Sequence, residues 1–349
     1  MRRSSFVVLL AAGSLLGSTG VATAASPAQP GVTVVARNLA GPFGIAFGPA
    51  GRLFVAETSA GKVTKINLAT GSRSTFLSGY RSVDAVDVAV SGTVYALTGE
   101  WDAPANPTDA RLYKAPYAGH ATVAADLLAY ELTHNPDGQS KQAQDSKSNP
   151  FAVLRLPGRT LVADGGANDV ISVSDSGRLS TFFAPRNITS GVCAGAKNND
   201  PQHPGCDPVP TGLALGPDGA VYVSGLGAEA AGAARVWKLD AHSGRVLRTW
   251  TGFTALTGLA VGCDGSIYVS EGLYGAPQGP PPAGFDPSTI GRITRVAPDG
   301  TRTYAQVTMP IGLAFHHGHL YSSAWSVAAF VGLPPTSGQV VRVSPAAFK

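Results

Sequence analysis

A single phrase, repeated six times, constrains this chain more than any other feature. An apolar strand runs into a tight turn. A second strand follows, and small residues with an acid often close the phrase. The copies are PFGIAFGPAGRLFVAE from Pro42, VDAVDVAVSGTVYALT from Val83 and PFAVLRLPGRTLVAD from Pro150. Three more are PTGLALGPDGAVYVSG from Pro210, LTGLAVGCDGSIYVSE from Leu256 and PIGLAFHHGHLYSSA from Pro310. Most copies lead into a third strand, such as GKVTKIN from Gly61 or GRITRVA from Gly291, and often a fourth, such as RSTFLS from Arg73. Each unit is then a four-stranded antiparallel meander of roughly 40 to 60 residues, the size of a β-propeller blade. One blade alone leaves both faces exposed, so blades must stack around an axis. The expected fold class is all-β, a six-bladed β-propeller. The sixth copy has only three strands, and GVTVVARNL (Gly31 to Leu39) belongs to no unit. This segment is expected to complete the sixth blade and close the ring, because an open blade exposes an edge strand.

Composition agrees. The 349 residues include 43 Gly and 26 Pro, which punctuate the chain too often for a helical bundle. Hydrophobic residues make up 44% and charged residues 14%, the reverse of a disordered chain. Arg2 and Arg3, the apolar run Phe6 to Leu16 and Ala22-Thr23-Ala24 read as a secretory signal peptide over residues 1–24. Residues 25–349 are then a single propeller domain, secreted to the extracellular side. No later segment is apolar enough for a transmembrane span. Cleavage removes Arg2 and Arg3 and no acid, so the net charge falls from +4 to +2. With no polybasic block, nucleic acid is a poor partner. An exported chain permits a disulfide between Cys193 and Cys206, which flank a polar loop; free thiols are the alternative. Cys263 is left as a lone thiol in a turn.

LVADGGANDVISV, at Leu161 to Val173, resembles the NHL-repeat pattern. VVARNLAGPFGIAFGPAGRLFVAE, SNPFAVLRLPGRTLVADGGANDV and PTGLALGPDGAVYVS together resemble the ScyD/ScyE family of exported propellers. The likeness spans nearly the whole mature chain and implies the propeller fold. It implies no settled reaction, since NHL-like propellers include scaffolds, streptogramin-type lyases, gluconolactonase-like hydrolases and amidating lyases.

Register shows which polar residues can meet. Second strands end at Glu57, Thr98, Asp164, Gly225, Glu271 and Ala324. Glu57, Asp164 and Glu271 could converge at the axial mouth and hold Ca²⁺ or Mg²⁺, with Asn168 and Asp169 contributing. The competing role for Asp164 and Asn168 is to cap turns in their own blade. Glu100, Trp101 and Trp325 follow second strands and are candidates for ligand contact on that face; packing beneath long loops is the alternative. Two polar insertions, Thr133 to Asn149 and Pro185 to Val209, carry His134 and His203 as candidate general bases. The His316-His317-Gly318-His319 run falls in a turn on the opposite face and is read as exposed. Two functions remain open. The leading one is a non-catalytic scaffold binding a small ligand, glycan or protein on the axial loop face. The other is a divalent-metal-dependent hydrolase or lyase, with Glu57, Asp164 and Glu271 around the ion and a loop histidine moving protons.

Overall fold

The computed structural model describes residues 29–100, 106–139, 147–198, 200–277 and 279–349. Six four-stranded antiparallel sheets follow one another along the chain as blades. Blade 1 comprises Pro42–Gly48, Arg52–Glu57, Lys62–Asn67 and Arg73–Leu77. Blade 2 comprises Ala85–Val88, Val94–Leu97, Arg111–Tyr117 and His120–Asp126. Blade 3 comprises Pro150–Leu156, Arg159–Asp164, Asp169–Ser174 and Leu179–Phe183. Blade 4 comprises Pro210–Leu215, Val221–Gly225, Ala234–Leu239 and Val246–Phe253. Blade 5 comprises Leu256–Val261, Ile267–Glu271, Arg292–Val296 and Arg302–Ala305. Blade 6 takes Leu313–His316, His319–Ala324 and Gly338–Val343 from the end of the chain, and its outermost strand, Val32–Leu39, from the beginning. That strand pairs antiparallel with Gly338–Val343, Val32 opposite Val343 and Leu39 opposite Gly338, so the ring closes without a covalent link.

An apolar core fills each junction between successive blades. Phe54, Val63 and Phe76 of blade 1 meet Val86 and Val94 of blade 2. At the closing junction, Tyr321 and Val340 of blade 6 meet Ile45, Leu53 and Val55 of blade 1, together with Ala36 and Leu39 of the N-terminal strand. The alternation of each strand supplies one apolar face to each neighbour, which is why no blade is stable alone. Innermost strands approach closely around the axis. A Cβ on Gly258 would overlap the Ile311 carbonyl oxygen of the next blade, and one on Gly44 would lie 2.7 Å from the Ala85 Cα. The recurrent glycine of PFG, PTG, LTG and PIG is therefore set by crowding at the axis.

The first insertion is entered through the helix Leu127–His134, capped where the Asp126 carboxylate accepts the Ala129 N–H at 3.0 Å. The second insertion holds the Cys193–Cys206 disulfide, with Cα atoms 5.4 Å apart. Cys263 is free and exposed. His316 is not simply exposed: its ring stacks on Phe47 of blade 1 at 4.1 Å, and burial beside His317 lowers its pKa. Among the described residues, no helix is long and apolar enough to cross a membrane. The expected signal peptide, residues 1–24, and Trp101 lie outside the described residues.

Candidate functional site

The three carboxylates at the second-strand ends do not converge on an ion. Each is consumed within its own part of the ring. Glu57 accepts the Ala40 N–H at 2.7 Å and the Thr64 hydroxyl, and pairs with Lys62 at 3.4 Å. Glu271 accepts the Thr254 N–H at 2.8 Å, the Thr294 hydroxyl at 2.5 Å and Arg292 Nε at 2.6 Å. Asp164 accepts the Asn149 N–H at 2.6 Å, the Gly166 and Ala167 N–H groups at 3.1 Å, and the Ser148 hydroxyl. The role is common to all three: a buried carboxylate ties the segment leading into the innermost strand to the end of the second strand. Their lone pairs are spent on N–H and O–H donors. Among the described residues, no group of three or more His, Cys, Asp or Glu side chains is arranged to hold a metal ion. The Ca²⁺ or Mg²⁺ site expected from register therefore does not fit these residues.

The axial mouth differs from the expectation in a second way. Phe43, Asp84, Phe151, Thr211, Thr257 and Ile311 occupy equivalent positions around the ring, at the entry to the six innermost strands. Phe43 and Phe151 come from non-adjacent blades, yet their ring centroids lie 5.7 Å apart. Ile311, Met309, Ile290 and Val327 join them, and Phe285 and Trp325 pack against this cluster. Apolar side chains thus seal this part of the mouth. Trp325 is half-buried there, in the left-handed region at φ 53°. Thr211 and Thr257 turn their hydroxyls to the Leu256 and Pro310 carbonyls of the following segments, at 2.7 and 2.9 Å.

Asp84 is the ring member that sequence reasoning missed. Burial pushes its carboxyl up to about 7, against the Thr58 and Ser82 hydroxyls that favour its charged form; Glu100 and Asp109 raise it further. Its Oδ1 has no hydrogen-bond partner. The available signal was an acid where every other copy carries Phe, Thr or Ile. Glu100 itself is half-buried beside this group.

The polar side of the mouth lies over blades 3 and 4, where the two insertions dock. Asn168 bridges them: its amide donates to Asp137 Oδ2 at 3.2 Å and its Oδ1 accepts the Val209 N–H at 3.1 Å. It therefore links two blades instead of capping only its own turn. That bond pins Val209, a β-branched residue held at φ 46°. Gln139 donates to Asp207 at 2.8 Å, and Asn198 donates to the same oxygen at 2.7 Å. Asp169 faces Asp164 across the second and third strands, where blades 1 and 5 place Lys62 and Arg292 opposite an acid. It is 0% exposed, and neither oxygen has a hydrogen-bond partner. Burial, then Asp164, Glu131 and Asp137, push its carboxyl well above the usual range.

The two candidate histidines separate. His134 ends the helix, its ring stacked on Tyr130 at 4.2 Å and its Nδ1 3.1 Å from the Tyr130 carbonyl oxygen. It completes the helix end. His203 lies in the disulfide loop, with Nδ1 2.9 Å from Asp200 Oδ2. The Asp200 side chain is 3% exposed and that of His203 40%. Asp200 also accepts the Gln202 N–H at 2.9 Å, and Asn187 donates to the His203 carbonyl at 2.9 Å. A proton on Nδ1, donated to Asp200, leaves Nε2 of this part-exposed ring as the free acceptor.

No protein-family model and no curated relative matches the chain. Solved structures match over nearly its whole length. A streptogramin B lyase is 14% identical with a TM-score of 0.54, covering 93% of this chain and 100% of that one. A gluconolactonase from Xanthomonas campestris is 11% identical with a TM-score of 0.58, covering 90% and 89%. The calcium-binding protein regucalcin from Agrobacterium tumefaciens is 14% identical with a TM-score of 0.53, covering 89% and 94%. At these identities the likeness shows the fold: this chain shares the six-bladed propeller of lyase- and lactonase-type proteins.

Proposed function

We propose that this chain is an exported acid–base enzyme, a lyase or hydrolase of small ring-closed esters, working on the loop face over blades 3 and 4. The pairing of exposed His203 with buried Asp200 carries the reading. A buried carboxylate that holds one imidazole nitrogen leaves the other as a base of fixed tautomer and direction. In hydrolysis, Nε2 takes a proton from water as the water attacks the ester carbonyl, and returns it to the ester oxygen as the acyl C–O bond breaks and the ring opens to a hydroxy acid. In elimination, it takes a proton from the carbon next to the one that bears the ester oxygen, a double bond forms between those two carbons, and the alkyl C–O bond breaks to release the carboxylate. Asp84 is not given the role, because its side chain is buried. The streptogramin B lyase and gluconolactonase among the structural neighbours support the substrate class. The disulfide and the signal-like N-terminus support export. The ScyD/ScyE likeness of the repeat phrases is compatible with this reading and adds no reaction to it. No step is assigned to a metal ion.

The test is turnover of gluconolactone, other lactones and a streptogramin B by the mature chain. His203→Ala is expected to lower kcat by roughly a hundredfold or more with little change in melting temperature. Wild type that turns over no cyclic ester returns the function to a binding scaffold, the reading favoured by the apolar closure of the axis.

A further inference from the structure

A groove of about 530 Å³ lies on the flank of blade 5, away from the disulfide loop. It is bounded by Gln29, Tyr274, Thr289, Arg292, Tyr304 and Gln306, and no acidic side chain lines it. Its centre is Arg292. Buried Glu271 holds the guanidinium by Nε at 2.6 Å. The same guanidinium carbon lies 3.5 Å from the Tyr274 ring centroid and 4.3 Å from that of Tyr304. Both rings remain about 40% exposed. Among the described residues, no hydrogen bond is made by the two terminal nitrogens of Arg292. The group is thus fixed through one nitrogen and steadied by aromatic rings, while its forked edge is unspent. Gln306 donates its amide to the Gly291 carbonyl at 2.9 Å and to that of Ser288 at 3.3 Å, so its carbonyl oxygen remains as an acceptor.

We infer that this groove binds a carboxylated sugar, a hexuronate unit of a free saccharide or a glycan, independently of the loop-face site. An arginine fork held in place matches a carboxylate with two parallel hydrogen bonds. Exposed tyrosine rings offer an apolar face and a hydroxyl, which suits the C–H face and hydroxyls of a pyranose ring. Amide and hydroxyl groups at Gln29, Thr289 and Gln306 supply further donors and acceptors for sugar hydroxyls. The volume falls in the range of small-molecule sites and accommodates a mono- or disaccharide. A neutral sugar leaves the fork unpaired, and a simple carboxylate leaves the tyrosine faces bare.

Calorimetric titration of the full mature chain with glucuronate, a diuronate, glucose and acetate tests this. The uronates are expected to bind and stabilise the protein, with glucose and acetate each weaker by roughly tenfold or more. Tyr304→Ala, at an exposed position, is expected to lose about tenfold in uronate affinity with an unchanged melting temperature. Arg292→Gln is expected to abolish binding; if it fails to fold, Tyr304→Ala and Gln306→Ala carry the decision. Tighter binding of the diuronate than of the monomer assigns a glycan; equal binding assigns a free sugar acid. His203→Ala is expected to bind uronate like wild type, so failure of the catalytic reading leaves this result intact. Folded wild type that ignores millimolar glucuronate overturns the proposal. So does equal affinity for glucose or acetate, or undiminished binding in Tyr304→Ala.

Discussion

At the scale of single residues, buried carboxylates do two different jobs. Glu271 is satisfied by three donors, and its loss leaves those donors without a partner in a buried place. Glu271→Gln is expected to cost about 2–3 kcal/mol in urea unfolding, with no recovery on adding Ca²⁺ or Mg²⁺. Asp84 and Asp87 are the opposite case. Burial raises them from 3.8 to about 7 and about 6, although the Arg155 and Val88 N–H groups bond Asp87. A folded carboxyl with a raised pKa holds its proton while the unfolded chain has released it. The folded state therefore loses stability as pH climbs from about 4 towards 7, and the loss levels off above that. For Asp84 the full span is on the order of 4 kcal/mol. Melting measured from pH 4 to 8 is expected to show this decline, and Asp84→Asn to flatten it.

Elements obey constraints that single residues do not reveal. Innermost strands must pass each other near the axis, so Gly258→Ala is expected to destabilise by roughly 2 kcal/mol or more, because the Ile311 backbone must move. A circular dichroism melt reads this directly. The disulfide loop is a second case. Cys193 and Cys206 bracket Asp200 and His203, and the bridge packs on Ile188 and Ala233. Replacing both cysteines by serine is expected to cost at most about 3 kcal/mol of stability. The larger effect is expected on turnover, which should fall as far as in Asp200→Asn, because the loop no longer aims the imidazole. Unchanged turnover in the double serine variant would separate the disulfide from the site.

The whole molecule depends on one closure. Deleting Gly31 to Leu39 removes Ala36 and Leu39 from the core between blades 6 and 1 and bares the Gly338–Val343 edge. Several kcal/mol of apolar burial disappear with them, and the exposed edge invites association. The truncated chain is expected to melt far lower or to aggregate, as size-exclusion chromatography and scanning calorimetry would report. An unchanged melting temperature would mean that the ring holds without its N-terminal strand.

Repeats alone determined the blade count, the four-strand meander and the closing strand, because each follows from local periodicity; the Cys193–Cys206 pair was an expectation from export with free thiols as the alternative, and the tertiary structure decided it. The rim chemistry was not legible in that way. Register placed Glu57, Asp164 and Glu271 on one face, but not the donors that occupy them: Ala40, Asn149 and Thr254 arrive from the preceding segment. Asn168 looked like a local cap, yet its second partner, Val209, lies 41 residues away. Phe43 and Phe151 each read as a strand residue, and only the closed ring brings them together from non-adjacent blades; burial in the folded ring likewise raises the Asp84 carboxyl to about 7. Backbone periodicity is a property of neighbours in the chain. The pairing and dehydration of side chains depend on which neighbours folding brings across the ring, and only the tertiary structure decides that.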